Sequence, residues 1–403
     1  MTWRDALEAG AVAAAVSLVL TPASAIFARR VGAVDRPRER GLAIRETPRL
    51  GGLAMLAAVL LSAGFFVVHT PSMLGILGGA VVVTVVGALD DRFDLPAAEK
   101  LAGQAVAAAI PVAAGVRVEH FTFPVLGPTD LGAASGPLTV IGLVALINVV
   151  NLSDGVDGLA AGVSAIAGIA FCAIAFDLGR GNAAVLAAIT AGAAIGFLRH
   201  NFPPASVFMG DAGSNLLGFL LGCVAVLGTV KKGALIALFL PLVILAVPLL
   251  DTGFVIAKRM KYRRPIHRAD SWHFHHRLAN VGFSPRRTLL YLYVWTLVLV
   301  GLALALHFAP YSDRHGHYDI AWTAALATIG LVAIATSVFL IYRLEILKLR
   351  RVSARRLRAL DPETSEHEID AAVEGALAGE ALPAAPAGGP EAPPPPQSVP
   401  GRS

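Results

Sequence analysis

"NVVNLSDGVDGLAAG", residues 148–162, joins two apolar runs, 136–152 and 158–176, and carries Asn148, Asn151, Asp154 and Asp157 at every third position. On a continuous helix of 3.6 residues per turn that spacing drifts by about 60° per step, so the four polar groups would spiral over half the circumference. Gly155 and Gly158 favour a break instead. The reading is then of two helices, with Asn151 and Asp154 near the end of one and Asp157 at the start of the next. Carboxylate and amide oxygens suit a hard divalent cation such as magnesium. Acids at membrane depth are costly and belong to function by default.

Composition sets this junction in a membrane. The chain has 403 residues, 56% apolar and 15% charged, with a mean hydropathy of +0.67, too apolar for a soluble globular protein. Apolar runs of membrane-spanning length fall at 8–28, 51–69, 72–89, 97–116, 136–152, 158–176, 183–199, 212–230, 233–257, 288–308 and 319–342. The expected fold is an all-α polytopic membrane helix bundle of about 11 transmembrane helices, N-terminus outside and C-terminus cytoplasmic. With that orientation 26 of the 33 lysines and arginines lie on the inside and six outside, with Arg402 in the distal tail, as the positive-inside rule requires. Adding or dropping one middle span destroys the asymmetry. "TPASA" at 21–25 has the small-x-small pattern of a signal-peptidase site, but cleavage there would leave the arginine-rich 29–49 stretch outside, so the first run is read as a membrane helix. Cys172 and Cys223 lie within apolar spans without metal spacing and are read as small core residues. The net charge of +5 follows from topology and points to no nucleic acid.

Three segments are expected: a transmembrane domain over 1–342, a basic amphipathic juxtamembrane extension over 343–360, and a Pro/Ala/Gly-rich cytoplasmic tail over 361–403. The last has too few large apolar residues to fold; the basic stretch is placed on the inner membrane surface. There is no convincing internal repeat, which weighs against an inverted-repeat transporter.

The unusual residues fall on one side. "LDDRFD" (Asp90, Asp91, Asp94) ends the third span inside, 148–158 lies at the inner junction of the fifth and sixth, and "FMGDAGSN" (Asp211, Ser214, Asn215) leads into the eighth. "KYRRPIHRADSWHFHHRL" follows the ninth, again inside. The outside loops are short and plain. Each motif also has a bland reading. Adjacent aspartates often mark a solvated helix end, although they oppose the helix dipole there. Lys100 alone would be a snorkelling anchor, and Asp211 or Ser214 a helix cap, while exposed amides beside a glycine also make a place for phosphate. His273, His275 and His276 with Asp270 lack the i, i+4 pair of a helical zinc site. Beside Arg263, Arg264, Arg268 and Arg277 they read as an anion pocket. Four polar clusters on one face describe a site at the cytoplasmic mouth of the bundle.

Together, "LDDRFD…K", "NVVNLSDGVDGLA", "FMGDAGSN", "HRADSWHFHHRL" and "DRPRERGLAIRETPRLGGLA", in this order and spacing, resemble the polyprenyl-phosphate N-acetylhexosamine-1-phosphate transferase family over residues 10–342. The likeness is nearest to the bacterial undecaprenyl-phosphate N-acetylglucosamine-1-phosphate transferases. The resemblance implies that Asp90 and Asp91 are the aspartate pair that activates the lipid phosphate or organises the metal, and that Lys100 contacts the pyrophosphate. It makes Asn151 and Asp211 ligands of Mg2+ (with Mn2+ as substitute), sets Asp157 at the uridine and adds Asp154 as a further acid. His273, His275 and His276, with Arg264 and Arg268, then form the loop holding diphosphate and amino sugar, His273 among the catalytic groups. One departure is "GLAIRETPRLGG", where many relatives have Lys-x-His-x-x-Pro: Arg45 takes the basic slot and Thr47 is no histidine. The implied reaction is transfer of a HexNAc-1-phosphate, in the first place GlcNAc-1-phosphate, from a UDP-sugar to undecaprenyl or another polyprenyl phosphate. UMP is released, in the first membrane step of a cell-envelope glycan pathway such as O-antigen or teichoic acid. The implied setting is the inner (plasma) membrane, with a cytoplasmic site and a homodimer. The runner-up is phospho-N-acetylmuramoyl-pentapeptide transferase, whose consecutive histidines "HFHH" does not match. Outside enzymes, a polyprenyl-binding or transport protein competes; a transporter would put its polar groups at mid-membrane depth with access from both faces.

Overall fold

The computed structural model describes residues 1–35, 46–123, 127–228, 242–246, 248–250, 253, 284–309, 319–361 and 363–378. The fold is mostly helical. Among the described residues, seven helices are long and apolar enough to cross a membrane. They are α1 (Trp3–Val31), α3 (Pro71–Phe93), α5 (Ser135–Ser153), α6 (Leu159–Asp177), α7 (Gly181–Asn201), α8 (Gly210–Gly228) and α9 (Pro285–Phe308). The expected spans at 51–69 and 97–116 appear as the shorter helices α2 (Gly51–Phe66) and α4 (Ala97–Ala113). The run at 319–342 opens a 41-residue helix, α10 (Ile320–Leu360), which continues unbroken through the basic stretch 343–360. Most of 233–257 lies outside the described residues. Among the described residues there are also two antiparallel strand pairs, β1 (Val34–Asp35) with β2 (Thr47–Pro48), and β3 (His120–Phe123) with β4 (Gly127–Asp130).

The chain divides into two compact units, one holding α1–α9 and the start of α10, the other the remainder of α10 and α11 (Glu366–Ala378). In the first, α6, α7 and α8 form the centre, with Phe171, Phe197 and Phe219 fully buried. α1 packs on α7 and α2, while α3 and α5 pack on α8. The outer faces stay apolar: Leu7, Val19, Phe65 and Ile141 are each at least half exposed, as lipid-facing side chains are.

α1 crosses "TPASA" without a break. Pro22 cannot donate to Leu18 O, and His200 Nε2 of α7 bonds that carbonyl instead, at 3.0 Å. In lipid an unmet backbone group costs several kcal/mol, roughly, so this replacement is what lets the proline stay inside a membrane helix.

The tail reading needs a correction. Residues 366–378, within the segment expected not to fold, form α11. Ser365 and Glu368 cap its start reciprocally, Glu368 accepting the Ser365 N–H at 2.8 Å and Ser365 Oγ the Glu368 N–H at 3.3 Å. Ile369 and Val373, four apart, are buried, and Arg358 pairs with Glu366 at 2.6 Å. A capping box and one apolar stripe outweigh the acidic composition locally.

Candidate active site

The end of the bundle where α3, α5 and α7 finish and α2, α4, α6 and α8 begin gathers the polar motifs. The break in 148–162 lies where the glycines place it: α5 ends at Ser153 and α6 starts at Leu159, with Gly158 at φ +79°, a conformation that favours glycine. Two bonds tie this break to the end of α7 and the loop that follows it. Asp157 Oδ2 accepts the Ala205 N–H at 2.9 Å, and Gly158 N–H donates to Asn201 Oδ1 at 2.8 Å. From the other side, Tyr293 of α9 donates its hydroxyl to Gly158 O at 2.6 Å.

α3 ends at Asp94, in the left-handed region at φ +50°, which aspartate tolerates better than most residues. The turn that follows brings α4 back against α3. Asp90 Oδ1 accepts the Leu95 N–H at 2.8 Å, and Asp90 Oδ2 pairs with Lys100 Nζ at 2.9 Å. Lys100 also pairs with Asp211 Oδ2 of α8. The three side chains are 14%, 19% and 27% exposed for Asp90, Lys100 and Asp211, so water screens this triad only in part. Asp91 points elsewhere. Its two oxygens accept the Asp211 and Ala212 N–H groups at 2.9 and 3.0 Å.

A layer of amides lies beside the triad. Asn151 Nδ2 donates to Ser214 Oγ at 2.9 Å, one turn after Asp211, which places both expected magnesium ligands at one α5–α8 contact and leaves Asn151 Oδ1 as an acceptor. Asn148 Nδ2 donates to Gln104 Oε1 at 2.6 Å, and Gln104 faces the buried Asn215. A carboxylate and an amide oxygen on facing helices fit magnesium, which keeps several waters and takes further oxygens from substrate phosphates. Among the described residues, no group of three or more His, Cys, Asp or Glu is arranged to hold a metal.

Asp154 follows the last turn of α5. Burial, then the nearby carboxylates of Asp91 and Asp157, hold its carboxyl well above the usual range. Asp157 is raised too, by burial, against the opposing pull of the Ala205 N–H.

Of the sequence-derived residues, Asp90, Lys100 and Asp211 therefore meet directly, Asn151 joins them through Ser214, and Asp154 and Asp157 flank them at the α5–α6 break. Arg45, Arg263, Arg264, Arg268, Asp270, His273, His275, His276 and Arg277 lie outside the described residues. The sequence reading did not single out Asn201, Tyr293, Gln104 or Arg49. Gln104 had a signal, a lone amide in the apolar part of the fourth run. Arg49, paired with Asp35 across the β1–β2 hairpin at 2.5 Å, had none, because its partner is set by strand pairing.

The family model "Glycosyl transferase family 4" matches residues 73–229, which hold α3 to α8. A probable undecaprenyl-phosphate N-acetylglucosaminyl 1-phosphate transferase of Bacillus subtilis is 37% identical over 279 residues, 69% of this chain and 78% of its own length. A decaprenyl-phosphate N-acetylglucosaminephosphotransferase of Mycobacterium leprae is 36% identical over 341 residues, 76% of this chain and 85% of its own. A phospho-N-acetylmuramoyl-pentapeptide-transferase of Moorella thermoacetica is 33% identical over 321 residues, 75% of this chain and 97% of its own. With these likenesses spanning the helices that build the site, the chain belongs to the polyprenyl-phosphate N-acetylhexosamine-1-phosphate transferase family.

Proposed function

We propose that the protein transfers an N-acetylhexosamine 1-phosphate, GlcNAc-1-phosphate in the first place, from a UDP-sugar to a polyprenyl phosphate. The observation that carries this is the lysine held between Asp90 and Asp211, with Asn151 of the facing helix bonded to Ser214 one turn after Asp211, at the end of a membrane bundle. A phosphate oxygen of the lipid attacks the β-phosphorus of the UDP-sugar. The bond from that phosphorus to the bridging oxygen breaks, UMP leaves with that oxygen, and the lipid keeps a diphosphate-linked sugar. Both reactants are anions and the lipid phosphate is already ionised at neutral pH, so the chief task is to hold and neutralise charge. Lys100 supplies a cation to the diphosphate, Asp90 keeps the ammonium in place, and Asp211 and Asn151 would supply oxygens to Mg2+. Bound there, magnesium would screen the transferring phosphoryl group.

The lysine and arginine count supports putting this end in the cytoplasm, within an eleven-span topology in the plasma membrane. There a water-soluble nucleotide sugar and a bilayer lipid can meet. The muramoyl-pentapeptide donor is the second reading, and a cell-envelope glycan the destination in either case. The test is UMP release by purified protein given undecaprenyl phosphate, magnesium and, separately, UDP-GlcNAc, UDP-GalNAc and UDP-MurNAc-pentapeptide, with Asp211→Ala as control. Lipid- and magnesium-dependent UMP from UDP-GlcNAc is the expected result; none from any donor, with the protein folded, sinks the proposal.

A further inference from the structure

The two adjacent aspartates of α3 do different things. Asp90 spends one oxygen on the turn into α4 and the other on Lys100. Asp91 reaches across to a helix that starts about 120 residues later and accepts one N–H on each oxygen, from Asp211 and Ala212. These are among the first backbone N–H groups of α8, which no carbonyl within that helix can satisfy. Two glycines clear the space. Gly210 has φ +67°, and a Cβ there would lie 2.7 Å from the Asp91 carboxyl carbon. At Gly87, one turn before Asp91, a Cβ would lie 2.5 Å from Ala212 N. The Asp91 carboxylate is thus seated where α3 and the start of α8 touch backbone to backbone.

We propose that Asp91 is a positioning residue, not a catalytic one: as the cap of α8 supplied by α3, it fixes Asp211 opposite Lys100. The inference rests on the transferase reading for the word "positioning", but its physical core, the cap, is independent of activity. A negative side chain at the N-terminus of α8 is also favoured by that helix's dipole. Loss of the cap frays the first turn of α8, so Asp211 no longer meets Lys100, and the chemistry slows without loss of any group that touches substrate.

The test compares Asp91→Asn, Asp91→Ala and Asp90→Asn in the full chain. Asparagine keeps one acceptor oxygen, so Asp91→Asn should retain part of the cap, and it carries the test if Asp91→Ala does not fold. Two readouts are taken: hydrogen exchange of the peptide covering 207–216, and the pH profile of UMP release. Exchange of the Asp211 and Ala212 amides should quicken about fivefold to tenfold in Asp91→Ala, the effect of losing an ordinary helix cap. It should quicken less in Asp91→Asn and stay at the wild-type rate in Asp90→Asn. Turnover should fall about 100-fold in Asp91→Ala and about tenfold or less in Asp91→Asn, as misplacement by roughly an ångström does. The acid limb of the pH profile should not move in Asp91→Asn. Wild-type exchange at 207–216 together with an inactive Asp91→Asn, or loss of the acid limb in that variant, overturns the proposal in favour of direct chemistry by Asp91. If the wild-type protein releases no UMP, the transferase reading has failed, and exchange alone still decides whether Asp91 caps α8.

Discussion

Replacing Gly87 by alanine adds one methyl group to a buried face of α3, remote in sequence from every polar motif but the aspartate pair. The Cβ would sit 2.4 Å from Asp211 O and 2.5 Å from Ala212 N and the Asp211 carbonyl carbon, where ordinary contact begins at 3.4 Å. All three are backbone atoms, so no flexible side chain can give way. The helices must part by about 1.0 Å, either by shifting the start of α8 or by shifting the end of α3. Each route separates Asp211 from the Asp90–Lys100 pair. A displacement of about 1 Å in a positioned group costs on the order of 100-fold in rate.

Stability should change far less than activity. Overpacking costs about 1–3 kcal/mol, and alanine's better helix propensity returns up to about 1 kcal/mol. The control is Gly78→Ala on the same helix, whose added Cβ would meet only Ile110 Cγ2 at 3.7 Å. In nanodiscs with saturating UDP-GlcNAc and undecaprenyl phosphate, Gly87→Ala should release UMP about 100-fold more slowly, mainly through kcat, and Gly78→Ala at close to the wild-type rate. A folded Gly87→Ala enzyme with wild-type kcat would refute the reasoning. So would equal loss in the two variants.

Three further outcomes follow from the same geometry. Lys100→Met removes the cation between Asp90 and Asp211 and leaves two partly shielded carboxylates facing each other; UMP release should fall by about 100-fold or more with thermal stability lowered, and wild-type turnover would remove Lys100 from the mechanism. Tyr293→Phe deletes the bond to Gly158 O at the α5–α6 break and should cost about 1–2 kcal/mol, read as a lower unfolding temperature with the ring's packing kept. Asp154 has a raised carboxyl: from about pH 4 upward the unfolded chain ionises first, so stability is full below that pH and is lost as pH rises through the folded value. Without divalent cation, Asp154→Asn should therefore unfold at a higher temperature than wild type near pH 7, the difference closing near pH 4; a constant difference over that range would show that charge is not its origin.

What was legible in the sequence was local. Gly155 and Gly158 mark the break between α5 and α6 because a glycine's backbone freedom is a property of the residue itself, and Asp94 marks the end of α3 for a similar reason. The apolar runs located the helices because lipid demands them. Partners were illegible. Nothing near Asp91 announces the Ala212 amide, and nothing near Pro22 announces His200, since each match is made by helix packing. α11 was misread for a different reason. Composition over 43 residues averaged away a capping box at Ser365–Glu368 and a buried pair at Ile369 and Val373, and those few residues decide whether one short helix forms.

Helix polarity explains why the triad holds together. Asp90 and Asp91 lie at the C-terminal end of α3, where the dipole opposes a negative charge, and Lys100 lies in the first turn of α4, where it opposes a positive one. Each is at the unfavourable end of its own helix. The opposition is relieved only between helices: α8 runs antiparallel to α3 and presents its N-terminus to Asp91, while Lys100 lies between Asp90 and Asp211. Solvated helix ends would favour the reverse charges. The arrangement is stable only when α3, α4 and α8 are assembled, so the site is a property of the bundle and of none of its helices alone. On the transferase reading proposed above, a substrate diphosphate would compete with Asp90 and Asp211 for the Lys100 ammonium.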